Sequence, residues 1–74
     1  MTLKDILPGK RCTVINITAA PALKKKLLSM GITPGTKILV KKSAPFGGPM
    51  QIFLRNYDLV LRKAEAGTVI VRGL

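Results

Sequence analysis

The chain has 74 residues and a mass of 8.0 kDa, so it is read as a single domain over 1–74. A chain this short buries only about 60% of its unfolded surface, which leaves no room for a core, a deep cleft and a cofactor cradle together. Its 47% hydrophobic content excludes disorder, and 13 Lys and Arg against 3 Asp and Glu give a net charge of +10, which attracts polyanions, anionic membranes or an acidic partner.

The first segment, Thr2-Leu3-Lys4-Asp5-Ile6-Leu7, pairs Thr2 with Asp5 in a loose capping box. It predicts one helical turn whose Leu3, Ile6 and Leu7 cover a barrel end. Pro8-Gly9 suits the centre of a type II turn. Residues 11–18 are rich in β-branched side chains and predict a strand. Val14 and Ile17 differ in parity, which suggests a bulge.

The period then changes. Residues 21–30 predict a helix with Pro21 in its first turn and Leu23, Leu27 and Met30 on one face. Gly31 stands where a left-handed C-cap belongs, and Ile32 where its hydrophobic contact follows. Thr33-Pro34-Gly35-Thr36 signals a second type II turn. Beyond it the chain predicts strands over 37–42, 50–55, 57–63 and 68–72. Residues 44–49 join the first two of these, Arg55-Asn56 forms the next turn, and 64–67 the last.

Five short strands and one inserted helix predict a mainly β fold, a small curled antiparallel barrel with the helix between the first two strands. A barrel also removes the exposed edges a flat sheet would leave. The core candidates are Ile38, Val40, Met50, Ile52, Leu54, Leu59, Leu61, Val69 and Val71. Leu39, Phe53, Val60 and Ile70 have the opposite parity. Curvature and the helix are expected to cover most of these, and any left exposed together would form an interaction patch.

The catalytic inventory is nearly empty. There is no His to serve as a general base, and no Ser–His or Cys–His pair can form. Cys12 is the lone Cys, so there is no internal disulfide, and a small core residue is its ordinary role. No cofactor and no metal site are expected, and an enzyme is excluded on these grounds. Gly47-Gly48 lacks the Lys-Ser/Thr of a phosphate-binding loop. Lys24, Lys25 and Lys26 fan around the helix away from its apolar stripe, either as a solvated surface or as a docking charge. A basic nucleic-acid-binding barrel is the alternative, with Phe46, Phe53 and Tyr57 as the only aromatic platforms. No run of about 20 apolar residues spans a membrane, and the N-terminus does not read as a signal peptide, so the expected location is cytoplasmic.

Three stretches, taken in order, resemble the FeoA family. They are Lys26-Leu27-Leu28-Ser29-Met30-Gly31-Ile32-Thr33-Pro34-Gly35, Ala44-Pro45-Phe46-Gly47-Gly48-Pro49-Met50, and Tyr57-Asp58-Leu59-Val60-Leu61-Arg62-Lys63-Ala64-Glu65-Ala66. The resemblance implies an SH3-like barrel and an accessory role in ferrous iron uptake. It implies, as partner, the membrane transporter FeoB, met at its cytoplasmic GTP-binding domain or a membrane-proximal region without insertion into the bilayer. Phe46 stands where the family pattern has an aliphatic residue. The lack of His and the scarcity of acids argue against direct iron ligation.

On this reading the expected contact surface is Leu27, Met30 and Gly31 of the helix end with Pro45, Phe46, Gly47, Gly48 and Pro49 of the loop. Lys24, Lys25, Lys26 and Arg62 steer the partner. Arg62 either orients a partner carboxylate or fastens the barrel's own turn.

Overall fold

Seven elements follow the opening 3-10 turn at Leu3–Asp5, and the computed structural model describes residues 1–44 and 47–73 of the chain. They are β1 (Arg11–Ile17), α1 (Pro21–Ser29), β2 (Lys37–Ser43), β3 (Met50–Leu54), β4 (Tyr57–Leu61), α2 (Lys63–Ala66) and β5 (Val69–Gly73). The strands form one antiparallel sheet in the order β4-β3-β2-β1-β5. β4 and β5 are its two edges, and the ladder does not close between them among the described residues. Fold class, the order of the five strands and the inserted helix match the sequence reading, and α2 is an additional short turn of helix.

The turns follow their residues. In Leu7-Pro8-Gly9-Lys10 the Lys10 N–H donates to the Leu7 carbonyl. Thr36 N–H donates to the Thr33 carbonyl around Gly35, whose φ of +92° only glycine adopts freely. Between β3 and β4 both turn residues, Arg55 and Asn56, have positive φ, as a two-residue hairpin matched to strand twist requires.

Two bulges bend the sheet. In β1, Val14 faces Val71 and Asn16 faces Ile70, so Ile15 is the extra residue, as the parity of Val14 and Ile17 suggests. In β2, Val40 faces Ile52 and Lys42 faces Gln51, so Lys41 is extra. The second bulge has no signal in the apolar pattern.

The inner face is a continuous apolar core of Cys12, Val14, Ile38, Val40, Met50, Ile52, Leu54, Leu61, Val69 and Val71. Leu27 of α1, Ile32 after it and Ala66 of α2 complete it, all at 0% exposure. Burial pushes the Cys12 thiol up to about 11, so it is an inert core group at neutral pH.

Four expectations are corrected. Leu7 is exposed, because the chain turns at Pro8 after Leu3 and Ile6 have already filled the end of the core. Leu59 is only half-buried, because it sits on the edge strand with no neighbour beyond it. Lys63 belongs to α2 and not to β4, since the Ala66 and Gly67 N–H groups bond back to the Arg62 and Lys63 carbonyls. Of the outward residues, Leu39, Phe53 and Ile70 are half-buried, whereas Val60 is 63% exposed.

Leu27 is the one α1 side chain with no exposure, so it is the principal apolar tie between the helix and the sheet. Leu27→Ala is expected to lower stability by about 2–5 kcal/mol, read from the midpoint of urea unfolding.

Candidate docking surface

The C-terminal end of α1 is built first from its own backbone. Met30 is the C-cap and Gly31 follows with φ +91°. The Gly31 N–H donates to the Leu28 carbonyl at 3.0 Å, and the Ile32 N–H reaches the Leu27 carbonyl at 3.1 Å. This is the Schellman closure foreshadowed by Gly31-Ile32, and it sends Ile32 into the core.

The β3–β4 hairpin then covers what remains. Tyr57 donates its hydroxyl hydrogen to the Met30 carbonyl. Arg55 Nε donates to the Gly31 carbonyl at 3.3 Å, and its Nη2 donates to Thr33 Oγ1 at 3.1 Å and Thr36 Oγ1 at 3.3 Å. The Thr36 hydroxyl also donates to the Gly31 carbonyl, at 3.2 Å. The guanidinium lies at the negative end of the helix dipole, a further favourable interaction. A Cβ on Gly31 would stand 3.1 Å from Arg55 Cδ, so the glycine also admits this side chain. Positive φ at Arg55 is strained for an L-residue, and these bonds hold it there.

Leu27 therefore offers no surface, a correction to its expected partner role. Its side chain is wholly in the core and supports the helix end from beneath. Met30 and Gly31 are half-buried, with their carbonyls already engaged. Gly47 and Pro49 are exposed and Gly48 half-buried, while Pro45 and Phe46 lie outside the described residues.

The loop and the helix end are not one surface. The loop leaves from Ser43 and Met50, while the clamp is made by the turn after Leu54. Four residues of β3 separate them, roughly 13 Å at the rise of an extended strand. Proximity in a motif list carries no information about which end of a strand each motif occupies.

Lys24 and Lys25 are exposed on α1. Lys26 Nζ lies 3.1 Å from Glu65 Oε2 and joins α1 to α2. The Arg62 N–H donates to Glu65 Oε1 at 3.0 Å, so the backbone of Arg62 fastens the turn while its side chain remains exposed. Lys63 Nζ donates to Ser43 Oγ at 2.6 Å. Lys41 Nζ lies 3.0 Å from Asp58 Oδ1 and 5.1 Å from the Phe53 ring centroid, so one face of Phe53 is already covered. Asp5 accepts the N–H and hydroxyl of Thr2 at 2.9 and 3.0 Å. All three carboxylates are thus engaged within the chain, and the uncompensated charge is cationic.

Beside the loop an open groove of about 420 Å³ is lined by Lys42, Ser43, Ala44, Pro49, Met50, Gln51 and Val60. A second, of about 310 Å³, lies between Arg11, Lys37, Leu39, Phe53 and the Arg55-Asn56 turn. Among the described residues no three His, Cys, Asp or Glu gather as a metal site would need, and no helix is long and apolar enough to cross a membrane. The sequence reading missed the Arg55–Tyr57 clamp. Its signal is an Arg at a hairpin turn position that ordinarily goes to Asn, Asp or Gly.

The FeoA domain family model matches residues 1–73. A solved structure described as an iron uptake regulatory protein, FeoA, is 38% identical, with 100% of both chains covered and a TM-score of 0.90. FeoA of Stenotrophomonas maltophilia, described as a prokaryotic SH3 domain protein complexed with zinc, shares the fold at 24% identity and a TM-score of 0.85, over 97% of this chain and 89% of that one. A fusion of Fe(2+) transport protein A with the Fe(2+) transporter FeoB from Porphyromonas gingivalis is 25% identical over 71 residues. That match covers 96% of this chain and 8% of the fusion protein, so this chain spans a small part of that relative.

Two predictions follow from the helix-end clamp and the α2 turn. Tyr57→Phe is expected to cost about 0.5–1.5 kcal/mol by loss of one hydrogen bond, and Arg55→Ala about 1–2 kcal/mol, both read from urea unfolding. The hydrogen bond from the Arg62 backbone, and then that from Lys26, hold the Glu65 carboxyl below its ordinary range. A depressed folded pKa gives stability that is complete above the unfolded value and is lost as pH falls through the folded one. Unfolding midpoints should therefore drop below about pH 4.3, the ordinary value of a glutamate, and drop less in Glu65→Gln. Asp5, lowered by the backbone and then the hydroxyl of Thr2, contributes a residual drop of the same sign.

Proposed function

Because this chain belongs to the FeoA family, we propose that it is a non-enzymatic accessory protein of ferrous iron uptake, acting by docking on a FeoB-like transporter at the cytoplasmic face of the membrane. The observation that carries this is the fusion relative, in which a region matching nearly all of this chain is continuous with an Fe(2+) transporter. A covalent tether holds two modules at an effective concentration of about millimolar. What this domain itself brings to such an encounter is its surface and charge.

The net charge of +10 supports that role, because it speeds encounter with an acidic surface. Lys24 and Lys25, exposed and close together on α1, are the steering charges, with the Arg62 side chain and the exposed end of Lys26 adding to the field. Contact is made by the loop residues Pro45, Phe46, Gly47, Gly48 and Pro49, with Met30 and Gly31 as a second, separate contact. Iron is the transporter's cargo in this account. Docking changes transport only by binding one state of the transporter more tightly than another.

An amide chemical-shift titration of this protein with the cytoplasmic domain of its cognate FeoB, at physiological salt, tests the reading. The expected result is saturable shifts at Gly47 to Pro49 and around Met30 and Gly31. Shifts confined to Lys24 to Lys26 and erased by modest salt would leave charge attraction without a docking surface.

A further inference from the structure

The two edges of the sheet are treated differently. The outer edge of β5 is already covered by the start of the chain. Thr2 bridges Ile70, and the Val71 N–H donates to the Met1 carbonyl at 3.0 Å. The outer edge of β4 receives no backbone hydrogen bond among the described residues.

Register says which groups are open. Leu54 and Tyr57 flank the two-residue turn and form its hydrogen-bonded pair, and the pairs alternate from there. Leu59 and Leu61 then bond to β3, whereas the N–H and C=O groups of Asp58 and Val60 point away from the sheet. The Val60 side chain is 63% exposed and stands at the end of the cross-strand row Lys42–Gln51–Val60, at the side of the 420 Å³ groove. Native sheets usually protect such an edge with a proline, a bulge or charged side chains, and β4, Tyr-Asp-Leu-Val-Leu, has one charge, Asp58, already neutralised by Lys41.

Charge selects the occupant. Lys42 lines the groove with Val60, Arg62 and Lys63 directly follow β4, and Asp58, the single carboxylate of this edge, is already paired with Lys41. A second copy brought to the same edge would set two chains of +10 against each other. The geometry points to β4 as the acceptor of one extended acidic segment of the transporter. That segment adds as a sixth strand, bonds to the backbone of Asp58 and Val60, packs an alternate apolar side chain on Val60, and places a carboxylate toward Arg62 just beyond β4. This rests on the docking reading above and specifies its backbone contact.

Amide hydrogen exchange of the full chain, alone and with the purified cognate transporter in lipid nanodiscs, tests it. Binding itself is measured in parallel by calorimetry. On binding, exchange at Asp58 and Val60 should slow by about tenfold or more, while Leu59 and Leu61 change little. Val60→Pro removes the outward N–H together with the valine side chain and is tolerable on an edge strand, and Val60→Asp opposes an acidic segment. Either should weaken binding by about tenfold with the amide spectrum otherwise intact. Binding with Asp58 and Val60 still in fast exchange, or both variants binding like wild type, would overturn the edge assignment and leave the docking reading standing. Absence of any binding would overturn both. Protection that rises with this chain's own concentration, without transporter, would make a second copy the occupant and overturn the acidic segment.

Discussion

The fold depends on the closure of one helix end. A nine-residue helix is marginal in water, and its last carbonyls have no partners within the helix. Here the Gly31-Ile32 backbone closes the Leu27 and Leu28 carbonyls, and Tyr57 and Arg55 from the β3–β4 hairpin bond those of Met30 and Gly31. The same contacts fix α1 against the far end of the sheet. Leu27 and Ile32 can then be core residues at 0% exposure, and a 74-residue chain obtains a helix layer for its sheet.

The second constraint is charge. Three carboxylates are available, and each is engaged in an internal contact, with Thr2, Lys41 or Lys26. Exposed ion pairs such as Lys41–Asp58 contribute little stability each, about 0–1 kcal/mol, but together these contacts leave no Asp or Glu side chain without an internal partner. The protein therefore carries a strongly cationic surface, with apolar exposure at a few points such as Val60 and Ile15. Charge of this kind speeds encounter with an acidic surface, while specificity comes from defined backbone or apolar contacts.

Much of the fold is legible in the residues. The change from β-branched runs to the Leu23, Leu27, Met30 spacing locates the helix, and Gly31-Ile32 locates its end. The parity mismatch of Val14 and Ile17 locates a real bulge. The short turn α2 is hidden because Lys-Ala-Glu-Ala is too brief for a period, and its capping by Glu65 is a tertiary matter involving Lys26 as well. The site is less legible than the fold. Leu27 and Gly31 lie in the motif the chain shares with the FeoA pattern, yet one is core and the other a backbone device, so a motif marks the fold as readily as a contact. The separation of the loop from the helix end depends on which end of β3 each meets, and sequence order alone does not carry that.

The family assignment and the surface chemistry both support the proposed docking on an iron transporter. The most direct measurement is calorimetric titration of this chain into its cognate FeoB-like transporter, purified separately and held in nanodiscs, at two ionic strengths. The account predicts saturable binding at physiological salt that weakens, but persists, when salt is raised. Binding abolished by that modest increase, or no heat of binding at either ionic strength, would contradict it.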